Sequence, residues 1–304
     1  MSEGDVQGRA GGRGKQLPTK QRERGERRKG APPAPSPAAA AGYVRASDSP
    51  LFVNAVEKAM RVLMAFDGSQ RHLSLSQIAA LTQLDLSAAQ RFTFTLSELG
   101  YLRKDGRTRK YELSPRLLEF TSHYLASSDL VVRATPYLQQ LALDTEETAN
   151  LTVLDGPEIV FVQRIVSRHV LNPAFLVGSR LPAYATAPGL AMLATLPDVE
   201  VDALIAQRPP VAHTRYTVID PAAIRARLLE IRRKGYAHTR EEYFLGDLSV
   251  AVPVMGADGR AAGAINVAVA KARWQGAADE KRLANLLIAA GQAINAPQGQ
   301  ASRS

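Results

Sequence analysis

The chain has 304 residues, 45% of them hydrophobic and 22% charged, an ordinary balance for a soluble protein of two domains. It contains no cysteine, which excludes disulfides, thiolate zinc sites, Fe–S clusters and cysteine nucleophiles and suits a reducing cytoplasm. No apolar stretch reaches the roughly 18 residues that span a bilayer, and the N-terminal region lacks a hydrophobic signal-peptide core, so neither insertion nor secretion is expected.

The net charge of +9 is unevenly spread along the chain. Residues 1–50 hold ten Lys/Arg against five Asp/Glu, residues 51–114 nine against six, and residues 115–304 nineteen against eighteen. A basic N-terminal part ahead of a nearly neutral remainder points to a polyanionic partner for the first, nucleic acid ahead of an anionic membrane surface. Residues 1–48 combine the cations Arg22, Arg24, Arg27, Arg28 and Lys29 with the segment APPAPSPAAAAG. They lack the large apolar side chains that offset the entropy of ordering. They read as a disordered basic tail that either solubilises the chain or adds non-specific DNA affinity by counterion release. Residues 298–304 read as a short second tail.

Val53, Val56, Ala59, Met60, Leu63 and Met64 recur at three- and four-residue steps and predict an amphipathic helix ending near Asp67-Gly68. LSLSQIAALTQL predicts a second helix, with Ser76 as N-cap and Ile78, Ala79 and Leu81 facing inward. After a break at Gln83 to Leu86, SAAQRFTFTLSEL predicts a third, capped by Ser87 and stopped at Gly100. Its spacing turns Ala89, Phe92, Leu96 and Leu99 to the core and Ser87, Ala88, Gln90, Arg91 and Thr95 outward, with Phe94 between the faces. Small polar side chains with one arginine suit base edges in a major groove, and Ser76 and Gln77 on the preceding helix join that set. Asp105-Gly106 predicts a hairpin turn between two short strands rich in cations: Arg103, Lys104, Arg107, Arg109 and Lys110. Residues 49–114 therefore predict a winged helix-turn-helix; a helical domain with a merely solvated basic hairpin is the plain alternative.

SPRLLEF starts a linker helix over residues 115–127, and ATPYLQQLALDTEE a further helix. From Ala149 the pattern turns to strands: ANLTVL and IVFVQRIV about Asp155-Gly156, then LSVAVPVM and AAGAINVAVA about Ala257-Asp258-Gly259. GLAMLATL, DPAAIRARLLEIRRKG and a helix from about Ala277 to Ile294 complete an α+β domain with an antiparallel sheet over residues 128–297.

Catalytic chemistry finds little support. His72, His123, His169, His213 and His238 have no metal-ligand spacing, and no G-x-S-x-G, phosphate loop or dinucleotide fingerprint occurs, so no metal, cofactor or enzymatic role is expected. Glu241 and Glu242 could form an acid–base pair but read better as a solvated turn. Thr186, Thr239, Ser249 and Asn266, beside apolar strands or at helix starts, suit fixed hydrogen bonds to a small molecule.

The segments FVNAVEKAMRVLMAF, LSLSQIA, SAAQRFTFTLSELGYL, KYELSPRLLEF, ETANLTVLDGPEIVFVQRI, VGSRLPAYATAPGLAMLA, IRRKGYAHTREEY and LSVAVPV, in this order and spacing, resemble IclR-type bacterial transcriptional regulators. The resemblance runs from about Ser49 to Ala296, and the helix AAQRFTFTL is similar to the branch governing aromatic-acid catabolism. It implies a winged helix-turn-helix, a dimerising linker helix, a GAF-like effector domain and a homodimer or homotetramer. The implied DNA surface is Ser87, Ala88, Gln90, Arg91 and Thr95, with Arg107, Arg109 and Lys110 on the wing. The implied effector pocket is Ala187 and Pro188 of a TAPG turn, Thr239, Ser249, Asn266 and Ala268. Many members carry an acid at the positions of Thr239 and Arg240, a serine pair at those of Asn266 and Ala268, and a basic residue where this chain has Leu86. The missing acid, with Arg240 and Arg180 nearby, points to an anionic ligand. The expected function is operator binding controlled by a small-molecule metabolite, aromatic or another organic acid. An enzyme or metabolite-binding domain with a recruiting hairpin, and a non-specific architectural DNA-binding protein, are the alternatives.

Overall fold

The structure, a computed structural model, describes residues 49–169 and 175–295; the expected tails lie outside them. Helices α1 (Asn54–Met64), α2 (Leu75–Thr82) and α3 (Leu86–Glu98) precede a small antiparallel hairpin of β1 (Leu102–Lys104) and β2 (Tyr111–Leu113). This is the predicted winged helix-turn-helix, closed around Val62, Phe66, Leu73, Ile78, Leu96, Leu102 and Tyr111. Leu73 pairs with Tyr111 through two backbone hydrogen bonds, tying the wing to the entrance of α2.

Both expected caps shift. α2 is capped by Ser74, whose hydroxyl accepts from the Gln77 N–H at 3.3 Å while the Gln77 side-chain oxygen accepts from the Ser74 N–H at 2.9 Å. Ser76 instead lies inside the first turn. The N-cap of α3 is Asp85, accepting from the Ala88 N–H at 2.8 Å, because a carboxylate there satisfies an end N–H and complements the helix dipole. The inward face of α3 is Ala89, Thr93 and Leu96, with Phe92 half-buried, while Leu99 lies exposed. Thr93 is tolerated in that core because its hydroxyl donates to the Ala89 carbonyl at 2.9 Å. On α1, Val62 is buried and Leu63 packs against the core, whereas Val53, Val56, Met60 and Met64 face outward.

After β2, a 3-10 turn capped by Ser114 leads into α4 (Leu118–Ala126) and α5 (Asp129–Thr145). The remaining elements are β3 (Thr148–Asp155), β4 (Glu158–Ile165), β5 (Arg180–Pro182), α6 (Ala187–Leu193), α7 (Asp198–Gln207), α8 (Pro221–Lys234), β6 (Ala237–Arg240), β7 (Asp247–Met255), β8 (Ala261–Ala270) and α9 (Ala277–Asn295). Six of the strands form one antiparallel sheet in the order β5-β4-β3-β8-β7-β6. α5 and α9 cover one face over Leu138, Leu151, Val250, Ile265 and Leu287; α6 and α8 cover the other over Ile159, Leu190, Ala251, Ala264 and Leu228. This is the expected α+β, GAF-like architecture. The period-2 alternation of β8 shows how it works: Ile265 and Val267 enter the first layer, and Ala264, Asn266 and Ala268 point to the second.

The TAPG segment is the start of a helix instead of a turn. Thr186 is the N-cap residue of α6, and Pro188 sits in its first turn, where its missing N–H costs nothing. A Cβ on Gly189 would lie 2.2 Å from the Ala183 carbonyl oxygen, so α6 packs on the preceding backbone only with glycine there.

Candidate DNA-reading head and effector pocket

On α3 the side chains of Ser87, Gln90, Arg91 and Thr95 are exposed and Ala88 is half-buried. Ser76 and Gln77 are exposed at the start of α2, although the Gln77 oxygen is spent on the cap. Ala88, Arg91 and Thr95 border a shallow groove with Ala55 and Lys58 of α1. Phe94 is 64% exposed, beside Arg91 and Gln90 on the outward side. Arg91 has no ion pair among the described residues, so its guanidinium is available to an external acceptor.

The wing differs from the expected tight hairpin. Its loop runs over residues 105–110, with Asp105 N–H donating to the Lys110 carbonyl at 2.8 Å and Arg109 in the left-handed region at φ 58°. The Asp105 carboxylate accepts from the Thr108 hydroxyl at 2.9 Å and from the N–H groups of Thr108 and Arg107, which hold its pKa below the ordinary value. The only acid of the loop is thus folded into its own backbone. Arg103, Lys104, Arg107, Arg109 and Lys110 are all exposed, and none forms an ion pair among the described residues.

In the larger domain a cavity open to solvent lies between the sheet and the start of α6. Ala187, Pro188, Thr239, Ser249, Asn266 and Ala268, six positions drawn from four elements, all line it. The aromatic side of the cavity is Phe161, Phe175 and Phe244, with ring centroids 5.7 Å apart for the first pair and 5.1 Å for the second. Arg240 and Arg180 do not line it. Arg240 pairs with Glu280 at 2.9 Å, and Arg180 with Asp155 and Glu158 at 2.7 Å each. Glu241 and Glu242 are buried, neither a solvated turn nor a free acid–base pair. Glu242 holds Arg227 in two 2.7 Å bonds, and Glu241 holds Lys271 at 3.0 Å.

The family model of the IclR helix-turn-helix domain matches residues 55–106, and that of the bacterial transcriptional regulator IclR C-terminal region matches residues 122–296. The chain belongs to the IclR family. This regulator is 32% identical over 242 residues to the Pca regulon regulatory protein of Pseudomonas putida, covering 79% of this chain and 82% of that one. It is 33% identical to the p-hydroxybenzoate hydroxylase transcriptional activator of Acinetobacter baylyi, covering 71% and 80%. A solved transcriptional regulator of Rhodococcus sp. RHA1 superposes with a TM-score of 0.71 at 33% identity, covering 80% of this chain and 97% of that one. Membership makes the protein a DNA-binding transcriptional regulator, and not an enzyme.

Two charged residues of the regulator's cavity escape a reading of the sequence. Arg164 on β4 points its guanidinium over the rings of Phe161 and Phe175, at 5.2 and 5.8 Å from their centroids. Its Nε is shielded from solvent and has no hydrogen-bond partner, and no carboxylate of the described residues pairs with it. Burial lowers its pKa below the ordinary arginine value, with the Asp247 charge acting the other way. Asp247, at the start of β7, lines the same cavity, and burial pushes its carboxyl up to about 7, with Arg164 pulling it back down. A cation standing inside a strand as apolar as IVFVQRIV is the signal that could have singled out Arg164. Asp247 carries no comparable mark. Among the described residues no group of three or more His, Asp or Glu could hold a metal, and no helix is long and apolar enough to cross a membrane.

Proposed function

We propose that the regulator binds operator DNA through α3 and the wing and that an organic acid held in the Arg164 cavity sets its operator affinity. The observation that carries the second half is the Arg164 guanidinium, which lines a cavity with a shielded, partnerless Nε and no ion pair among the described residues. A half-buried cation left in this state costs free energy that a ligand carboxylate recovers. Ala187, Pro188, Thr239, Ser249, Asn266 and Ala268 form the rest of the contact surface. The names of the Pseudomonas and Acinetobacter relatives, tied to a Pca regulon and to p-hydroxybenzoate hydroxylase, favour an aromatic acid.

In this reading Ser87, Ala88, Gln90, Arg91 and Thr95 meet base edges, with Arg91 suited to a bidentate contact with guanine. Arg107, Arg109 and Lys110 hold the phosphates, and Ser76 and the Gln77 amide group add contacts at the start of α2. The exposed stripe of Val53, Val56, Met60 and Met64 supports a second copy of the chain as partner, giving a homodimer or homotetramer on paired half-sites. The protein then works in the cytoplasm, where operator and metabolite are both available.

The test is binding of the full-length protein to the DNA beside its own gene against a scrambled duplex, over a salt series, with and without a panel of carboxylic acids. Selective binding shifted by an acid is the expected result. A steep salt dependence with no preference between duplexes would favour the architectural alternative.

A further inference from the structure

Phe94 stands on the outward face of α3, 64% exposed. Ser87, Arg91, Phe94 and Glu98 follow one another at steps of four, three and four residues, which sets them in one row opposite the buried Ala89, Thr93 and Leu96. The other three members of that row are polar, and the remaining exposed large apolar residues of this region, Leu86 and Leu99, stand at the two ends of the helix. The core of the head does not use the ring. Phe92 packs against that core, and Phe94 points away from it.

The neighbours of the ring decide what covers it. Gln90 and Arg91 lie one helical turn before it, and both are exposed. The groove that α3 shares with α1 is bordered by Ala88, Arg91, Phe92 and Thr95, so Phe94 lies on the other side of Arg91, away from α1. An apolar protein surface laid on the ring would also strip water from Gln90 and Arg91, at a cost, whereas a major groove offers both of them acceptors. The same groove presents one apolar group, the C5-methyl of thymine, and a phenylalanine ring is among the side chains that contact it.

We infer that Phe94 is a specificity residue of the operator contact, its ring packed on a thymine methyl in the major groove next to the base read by Arg91. This role rests on α3 being the reading helix of the proposed function, and it adds an apolar contact to the polar ones. Three residues of helix rise about 4.5 Å, against about 3.4 Å for one base step, so the thymine lies within about two steps of the base that Arg91 reads. Thymine alone carries this methyl in the major groove, so the contact conveys sequence. It engages no phosphate and releases no counterion.

The experiment compares binding of the full-length protein to the duplex beside its own gene with binding to the same duplex carrying uracil at every thymine, which removes the methyl groups and keeps the base pairing. The wild-type protein should bind the uracil duplex roughly fourfold or more weakly, the worth of one buried methyl. Phe94→Ala should lose a similar factor on the thymine duplex and most of the thymine preference with it, while its salt slope stays that of the wild type. Its thermal midpoint should not move, because the ring lies outside the core. Arg91→Ala on the thymine duplex separates the two levels of the reading. If Arg91→Ala weakens binding but the thymine preference is absent in the wild type, or survives in Phe94→Ala, the role of Phe94 alone is overturned. An unchanged operator affinity with altered sedimentation in Phe94→Ala would overturn it in favour of a second copy of the chain. No effect of either variant on a selectively bound duplex, or no selective binding at all, would overturn it together with α3 as the reading helix.

Discussion

The reading head and the effector domain use arginine in opposite ways. In the head, Arg91, Arg103, Arg107 and Arg109 stand exposed on α3 and the wing without ion pairs among the described residues. In the effector domain, Arg227 and Arg273 hold the buried carboxylates of Glu242 and Glu147, whereas Arg164 lines a cavity without an ion pair among the described residues. Exposed cations recognise a polyanion from outside at little desolvation cost, and their strength follows the salt concentration. A half-buried cation without an ion pair suits an anion taken in from the cavity, and it answers to shape and hydrogen bonding more than to salt. On the proposed reading, one chain addresses two anions of very different size with arginines in two different settings.

The comparison breaks most completely at the backbone of the effector domain. Gly189→Ala forces a Cβ against the Ala183 carbonyl, and overpacking of a well-packed site costs about 1–3 kcal/mol or more. Calorimetry should show the effector domain unfolding at lower temperature. Arg227→Ala leaves Glu242 buried without its partner, at a cost of about 3–5 kcal/mol, read as a lowered denaturant midpoint with an unchanged slope. In the head, Arg91→Ala should cost about 1–3 kcal/mol on the operator and little on scrambled DNA, whereas Lys110→Ala should weaken both duplexes alike and reduce the salt slope by about 1. Equal losses for the two variants on both duplexes would contradict the division of labour between α3 and the wing.

The smallest effect is a pH dependence confined to the cavity. The Asp247 carboxyl titrates at about 7 in the folded chain, above the ordinary 3.8, so the folded state holds the extra proton between these values. Stability from this group therefore falls as pH rises from about 4 toward 7 and then levels off. Ionised Asp247 also adds a negative charge to the anion site, so carboxylate affinity should fall as pH rises from 6 to 8, and Asp247→Asn should flatten that fall. Burial holds His213 and His238 below the ordinary histidine value. Operator binding without ligand should not follow the same profile.

The head was legible because it is local. Capping residues, helical spacing and the cation-rich hairpin lie within about 65 consecutive residues, and their errors are shifts of a residue or two. The S-x-x-Q box at Ser74 competed with the equally good-looking Ser76, and the 3-4-3 spacing hid Thr93, whose hydroxyl bonds back to its own helix. The stripe of α1 was legible as apolar but not as outward-facing, since periodicity reports a face and not what covers it. The pocket was legible where polar residues interrupt apolar strands, as at Ser249 and Asn266. Arg164 was missed because it became a cavity residue only when β4 paired with β3 and set it opposite Asn150, a contact that no local pattern encodes. The burial of Glu241 and Glu242 likewise depends on Lys271 and Arg227, distant in sequence.

Control of operator binding by a metabolite requires coupling between the effector cavity and the DNA-reading face, and reciprocal titration measures that coupling. Operator affinity is measured with and without a saturating carboxylic acid from the panel, and affinity for that acid with and without saturating operator. Coupling between sites is reciprocal, so the same factor, between about 5-fold and 150-fold, is expected in both directions. A factor of one in both directions, with both ligands bound, would contradict it.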